Sequence, residues 1–249
     1  MRTSFFLIAL GLFPFLTLAQ SDQPVQRKDS VTVSAGIPKE QLALEDQLNE
    51  IIAKGNQALR SGDAANAVKQ YENALDLVQR QPLLAERKNY VLEKLANGFV
   101  QGNRAKDAVP IYSQLLAGRK RDCESELAAV SNCADAQYKL GMAKMHAGDF
   151  QGALDLLRDA KGNYAKAEKL SDSHEFVMIE VKEQAQTDLW TAVALFQLGK
   201  IAEATPLVEA AIPQLTRVQS DGSINVGIRD DAGRSLQDAQ TFLKRLKAQ

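Results

Sequence analysis

An all-α fold of stacked helical hairpins is what this sequence predicts, and three observations carry the prediction. Hydrophobic residues make up 45% of the 249 residues but aromatics only 6%, and the excess is Ala and Leu, the residues of packed helices. From about residue 40 nearly to the end, apolar residues recur at three- and four-residue spacings, with no convincing period-two alternation of a strand. Four segments also align without gaps: GNQALRSGDAANAVKQYENAL (55–75), ANGFVQGNRAKDAVPIYSQLL (96–116), GMAKMHAGDFQGALDLLRDAK (141–161) and AVALFQLGKIAEATPLVEAAI (192–212). An internal repeat of this kind determines architecture before any single motif does.

In each segment a small residue (Gly55, Ala96, Gly141, Ala192) precedes an Ala by twelve positions (Ala67, Ala108, Ala153, Ala204). Small side chains at both places let two antiparallel helices cross closely. Between them stand Gly62-Asp63, Gly102-Asn103, Gly148-Asp149 and Gly199, where one helix must end and the next begin. Gly suits the left-handed residue after a helix, and Asp or Asn can cap the following one. Sixteen residues past each small residue comes a bulky one, Tyr71, Tyr112, Leu157 or Val208, placed to fill the groove between successive hairpins. A further helix is predicted to start at Ser171-Asp172-Ser173, with Glu175 in its first turn. The last, from about Ile228 to Lys247, opens on Asp230 and Asp231 and closes on Lys244, Arg245 and Lys247, as the helix dipole favours, and caps the stack.

The first nineteen residues differ from the rest. Arg2, an apolar run from Phe5 to Leu18 and Thr17-Leu18-Ala19 before a polar stretch read as a secretory signal peptide cleaved near Ala19. The run is about fourteen residues and contains Pro14, short of the roughly twenty that a spanning helix needs. No Cys follows for a lipoprotein anchor. Residues 20–39, polar with two prolines, are expected to be a flexible leader. The mature chain is thus expected in the periplasm or outside the cell, without stable membrane insertion. Export to an oxidising space also bears on Cys123 and Cys133. On one helix, ten residues would separate them by about 15 Å, too far for a disulfide. A bond requires a bend between them; two free thiols are the alternative.

Charge is balanced, with 30 Lys+Arg against 31 Asp+Glu, so neither nucleic acid nor an anionic surface is an expected partner. The two histidines, His146 and His174, fit no metal-ligand spacing, and no nucleophile elbow, phosphate loop or dinucleotide fingerprint is present. Acidic residues lie among basic ones on presumed solvent faces. No catalytic residues, cofactor or metal are therefore expected. Arg119-Lys120-Arg121 reads as a solvated inter-repeat loop in preference to an acidic-partner site, and Trp190 as core.

The aligned positions resemble the tetratricopeptide repeat family: a small residue at position 8, a turn at 15 to 16, Ala at 20, a large residue at 24 and, at 27, Ala74, Leu115, Ala160 and Ala211. The resemblance covers about residues 42–217 within a repeat domain set at 40–217, followed by a loop and capping helix over 218–249. Spacings of 41, 45 and 51 (96−55, 141−96, 192−141) exceed the usual 34, and Pro110 and Pro206, both at position 22, make the pattern similar to the longer repeats of kinesin light chains. The resemblance implies a right-handed superhelical solenoid of about four hairpins whose first helices line a concave face that binds a protein or peptide. The resemblance places positions 2, 5, 9, 12 and 13 of each first helix on that face: Asn49, Ile52, Asn56, Leu59 and Arg60; Tyr90, Glu93, Asn97, Val100 and Gln101; Asp135, Tyr138, Met142, Met145 and His146; and Gln186, Leu189, Val193, Phe196 and Gln197. Asn56 and Asn97 share position 9, where an amide can read a peptide backbone; ordinary solvent exposure or capping is the competing explanation. Ile52 in place of Lys argues against a carboxylate clamp. Tyr138, Met142, Met145 and Phe196 suit a hydrophobic segment, unless the C-terminal helix covers them. The expected function is an exported scaffold or adaptor that binds protein. The alternatives are an enzyme or metal-dependent hydrolase on a helical-repeat frame, and a self-associating architectural protein; oligomeric state is open.

Overall fold

A computed structural model describes residues 38–119, 123 and 127–249. The signal-like segment, nearly all of the leader, and Lys120 and Arg121 lie outside the described residues. The described chain contains α1 (Lys39–Arg60), α2 (Ala64–Arg80), a 3₁₀ turn (Pro82–Arg87), α3 (Lys88–Gln101), α4 (Ala105–Gly118), α5 (Leu127–His146), α6 (Phe150–Leu170), α7 (His174–Gln197), α8 (Ile201–Ser220) and α9 (Val226–Lys247). Each helix packs chiefly on the next, with weaker contact between α5 and α7 and between α7 and α9, so the hairpins form a solenoid closed by α9.

The four hairpin turns share one geometry. At the seventh position after the small residue the backbone is left-handed: Gly62 (φ 79°), Asn103 (φ 58°), Gly148 (φ 86°) and Gly199 (φ 76°). In every case the last helical turn closes with a paired backbone motif, as at Gly62 N–H to Leu59 O and Asp63 N–H to Ala58 O, which satisfies carbonyls that would otherwise lack donors. One expectation is corrected here. In the second hairpin Gly102 has φ −82° and Asn103, not the glycine, takes the left-handed place, a conformation Asn tolerates better than most residues. The cap then falls to Arg104, whose side chain accepts nothing, whereas Asp63 and Asp149 accept from Asn66 N–H and Gly152 N–H.

Every alanine twelve positions on is fully buried. The bulky residue four positions later fits against the small one that began the hairpin. A β-carbon added at Gly55 would lie 2.5 Å from Tyr71 Cε1, and one at Gly98, on α3, 3.3 Å from Cδ2 of the same ring. The Tyr71 ring therefore fills the space between α1 of its own hairpin and α3 of the next. Leu157 lies likewise over Gly141 of its own hairpin, where an added β-carbon would come within 3.0 Å of its Cγ.

The long spacings have three sources. A 3₁₀ turn, absent from the sequence reading, separates the first two hairpins and buries Leu84. The α4–α5 connection holds a disulfide, Cys123–Cys133, with Cα atoms 5.2 Å apart; Cys133 sits within α5 and Cys123 before it, so the chain makes the bend the bond requires. Helices α5 to α8 are 20 to 24 residues long, against 14 for α3 and α4. At the end, α9 starts at Val226 behind an Asn225 cap, with no acidic residue in its first turn. Asp231 does not serve the dipole: it accepts from Lys182 on α7 at 2.7 Å. The basic last turn of Lys244, Arg245 and Lys247 is as expected.

Candidate protein-binding face

The residues assigned to the first-helix face fall into three groups. The two asparagines are engaged inside their own hairpins. Tyr71 Oη donates to Asn56 Oδ1 at 2.7 Å, and Tyr112 Oη donates to Asn97 Oδ1 at 2.5 Å. Asn97 is itself buried, and burial raises the Tyr112 pKa, with the charge of Glu93 adding to it. Each asparagine oxygen thus has one of its two acceptor positions taken by the tyrosine of its own hairpin. In the third and fourth hairpins the same two positions carry Met142 with Leu157 and Val193 with Val208, all buried. The positions change together, either as a hydrogen-bonded pair or as an apolar pair. Removing one partner leaves a buried polar group unmet, whereas replacing both by apolar groups is far less costly. Asn97→Ala is thus expected to destabilise by about 1–3 kcal/mol, and the double variant Asn97→Met, Tyr112→Leu to cost less than its two single changes summed. Additive losses in denaturant melts would refute the pairing.

The second group is core. Ile52, Met142 and Met145 are buried. Phe196 meets Phe242 of α9 edge-on, with ring centroids 5.7 Å apart, and the Arg245 guanidinium stands 5.0 Å above its ring. The apolar lining expected of the third and fourth hairpins is therefore interior, and α9 covers the Phe196 end, one of the two arrangements the sequence left open. Trp190 packs against the same core, its ring 6.0 Å from His146.

A polar network ties the remaining first-helix positions of the C-terminal half to neighbouring helices. Asp135 accepts from Tyr164 at 2.7 Å. Lys139 donates to Glu93 of α3 at 2.6 Å, and Arg119 approaches Glu93 at 4.0 Å. Burial pulls the Lys139 pKa down, but Asp135 and Glu93 outweigh it and the net shift is upward. Gln186 donates to Ser235 of α9 at 2.8 Å and Lys182 bridges Glu183 and Asp231. Tyr138 is half-buried beside this network, and burial raises its pKa.

The third group faces outward. Arg60, Gln101, His146 and Gln197, which share position 13, are exposed, and so is Asn49. Tyr90 is 43% exposed, and Arg87 and Lys94 each stand 5.5 Å from its ring centroid. Open positions are thus more numerous in the N-terminal half of this face, with Asn49, Arg60, Tyr90 and Gln101, than in the C-terminal half, with His146 and Gln197. Sequence periodicity did not separate these groups, because the partners that bury one position and leave the next open lie 15 to 50 residues away.

Residues 93–168 match the family model of the tetratricopeptide repeat. The second and third hairpins thus match tetratricopeptide repeats in sequence. Among solved structures, the nearly identical TPR-like repeats of a kinesin light chain from Podosopora anserina superpose with a TM-score of 0.53 at 18% identity, covering 85% of this chain and 96% of that one. BtubC (BKLC) from P. vanneervenii gives a TM-score of 0.52 at 16% identity, over 83% of this chain and 82% of that one. At these identities the likeness is one of fold, and it agrees with the long-repeat resemblance drawn from the spacings. No curated protein matches the sequence. Tetratricopeptide repeats form a helical frame typical of protein–protein interaction. No described helix is long and apolar enough to cross a membrane.

Proposed function

We propose that this protein is an exported, non-catalytic adaptor that binds a protein partner through the first-helix face of its first two hairpins. The observation that carries the reading is the contrast along that face. In the C-terminal half the core, ion pairs and α9 close most of it and leave His146 and Gln197 exposed. In the N-terminal half Asn49, Arg60, Tyr90 and Gln101 remain at the surface. An exposed Tyr flanked by two cations offers apolar area with a polar rim at low entropic cost, the make-up of an interface anchor. The Cys123–Cys133 bond supports export, since such bonds persist in oxidising compartments, and it agrees with the signal-like first nineteen residues.

Recovery of crosslinked partners from envelope and culture-fluid fractions tests this, comparing the native protein with Arg60→Ala, Tyr90→Ala. The double variant is expected to lose the specific partner while keeping its helical circular dichroism. Undiminished recovery would reject the N-terminal face. N-terminal sequencing of the protein from those fractions is expected to begin near Gln20, and recovery only from the cytoplasm would reject export.

A further inference from the structure

Glu180, on α7 where α5, α6 and α7 meet, has no place in the binding face, and its surroundings are unusual. The residue is 1% exposed. Its Oε1 accepts from the Ser131 hydroxyl of α5 at 2.8 Å; its Oε2 is buried and without a hydrogen-bond partner. The charges that act on it are carboxylates from three helices: Asp135 on α5, Glu168 on α6 and Glu183 on α7. The cations of the junction are directed elsewhere. Lys139 of α5 is bonded to Glu93, Lys161 of α6 to Asp188, and Lys182 of α7 to Glu183 and to Asp231 of α9. Among the described residues no Lys or Arg pairs with Glu180.

A buried carboxylate with one bare oxygen and three like-charged neighbours is costly, whereas a protonated carboxyl in the same place is not. Burial accordingly raises the Glu180 pKa to about 8, and repulsion by Asp135, Glu183 and Glu168 adds to the shift against the opposing Ser131 bond. The unfolded chain gives up this proton first, near the ordinary carboxylate value of 4.5. The contribution of Glu180 to stability therefore falls as pH rises from about 4.5 to about 8 and is level above that.

We propose that Glu180 is a proton-operated latch between the third and fourth hairpins. Protonated, it lets α5 and α7 seat against each other. Deprotonated, it sets an unpaired charge among carboxylates and releases the junction, so alkaline surroundings open the C-terminal half of the solenoid while the first two hairpins stay closed.

Hydrogen exchange on the purified protein tests the latch, with rates normalised for the intrinsic effect of pH. In the native protein, amides around residues 176–184 are expected to exchange at least about tenfold faster at about pH 9 than at about pH 6, and in Glu180→Gln to change less than about twofold. Equal acceleration in both proteins, or none in the native one, overturns the proposal. Should Glu180→Gln fail to fold, a carboxyl-carbon NMR titration of the native protein decides instead. A Glu180 midpoint above about 6 supports the latch, and one at or below about 6 overturns it.

Discussion

Tyr71→Ala is expected to cost about 3–5 kcal/mol, the range for emptying a large buried aromatic. The ring is fully buried and closes two interfaces at once, against Gly55 in α1 and Gly98 in α3, so neither helix can collapse into the cavity without leaving the other. Its hydroxyl also holds Asn56, whose oxygen would lose its donor. For a chain of this length the loss corresponds to a fall in melting temperature of roughly 6–20 °C. Because repeats are stabilised by their neighbours, the damage should be graded, with faster hydrogen exchange in α1 to α3 than in α7 to α9. A loss below about 1 kcal/mol would show that Tyr71 is not the joint between the first two hairpins.

The second large effect is expected from Cys123→Ser, Cys133→Ser. Cutting the bond frees a loop of about eleven residues in the unfolded chain, worth about 3 kcal/mol on the chain-entropy account. It also places a hydroxyl where Cys133 is buried. The bond fixes the passage from α4 to α5, where Arg119 reaches the Asn132 carbonyl at 3.1 Å and Lys166 that of Cys123 at 3.4 Å. Loss of protection should therefore centre on α4 and α5. Reductant applied to the native protein should reproduce the shift and leave the variant unchanged; a variant as stable as the native protein would sink the claim.

What the sequence made legible follows from how local each determinant is. The twelve-residue offset from small residue to alanine, the turn and the bulky residue all act within one hairpin, so four in register were readable before any coordinates. The position of the left-handed residue was readable too, since the alignment puts Asn103 with Gly62, Gly148 and Gly199; preference for glycine over alignment led to Gly102. The Asn56–Tyr71 and Asn97–Tyr112 bonds left a trace in the sequence, an Asn with a Tyr fifteen residues on, found in the two hairpins that have both and replaced at both ends in the other two. Coverage of the C-terminal face by the last helix was one of two possibilities in the sequence, and the choice between them was not legible. It depends on Phe242, Arg245 and Asp231 of α9 reaching Phe196 and Lys182 of α7, and periodicity says that a helix is amphipathic without saying which helix it meets.

The paired positions also bear on how the chain avoids tying itself or its neighbours into knots. Tandem units of similar shape can trade partners during folding, within a chain or between two chains. If α2 docked on α5, the Tyr71 hydroxyl would face Met142 and lose its acceptor; if α6 docked on α1, Leu157 would leave Asn56 without its donor. Stranding the buried Tyr71 hydroxyl costs about 1–3 kcal/mol, and stranding the half-buried Asn56 costs less. Two polar-matched hairpins followed by two apolar-matched ones thus act as a check on assembly, rejecting exchanges between the front and back halves of the array while the correct order satisfies every pair.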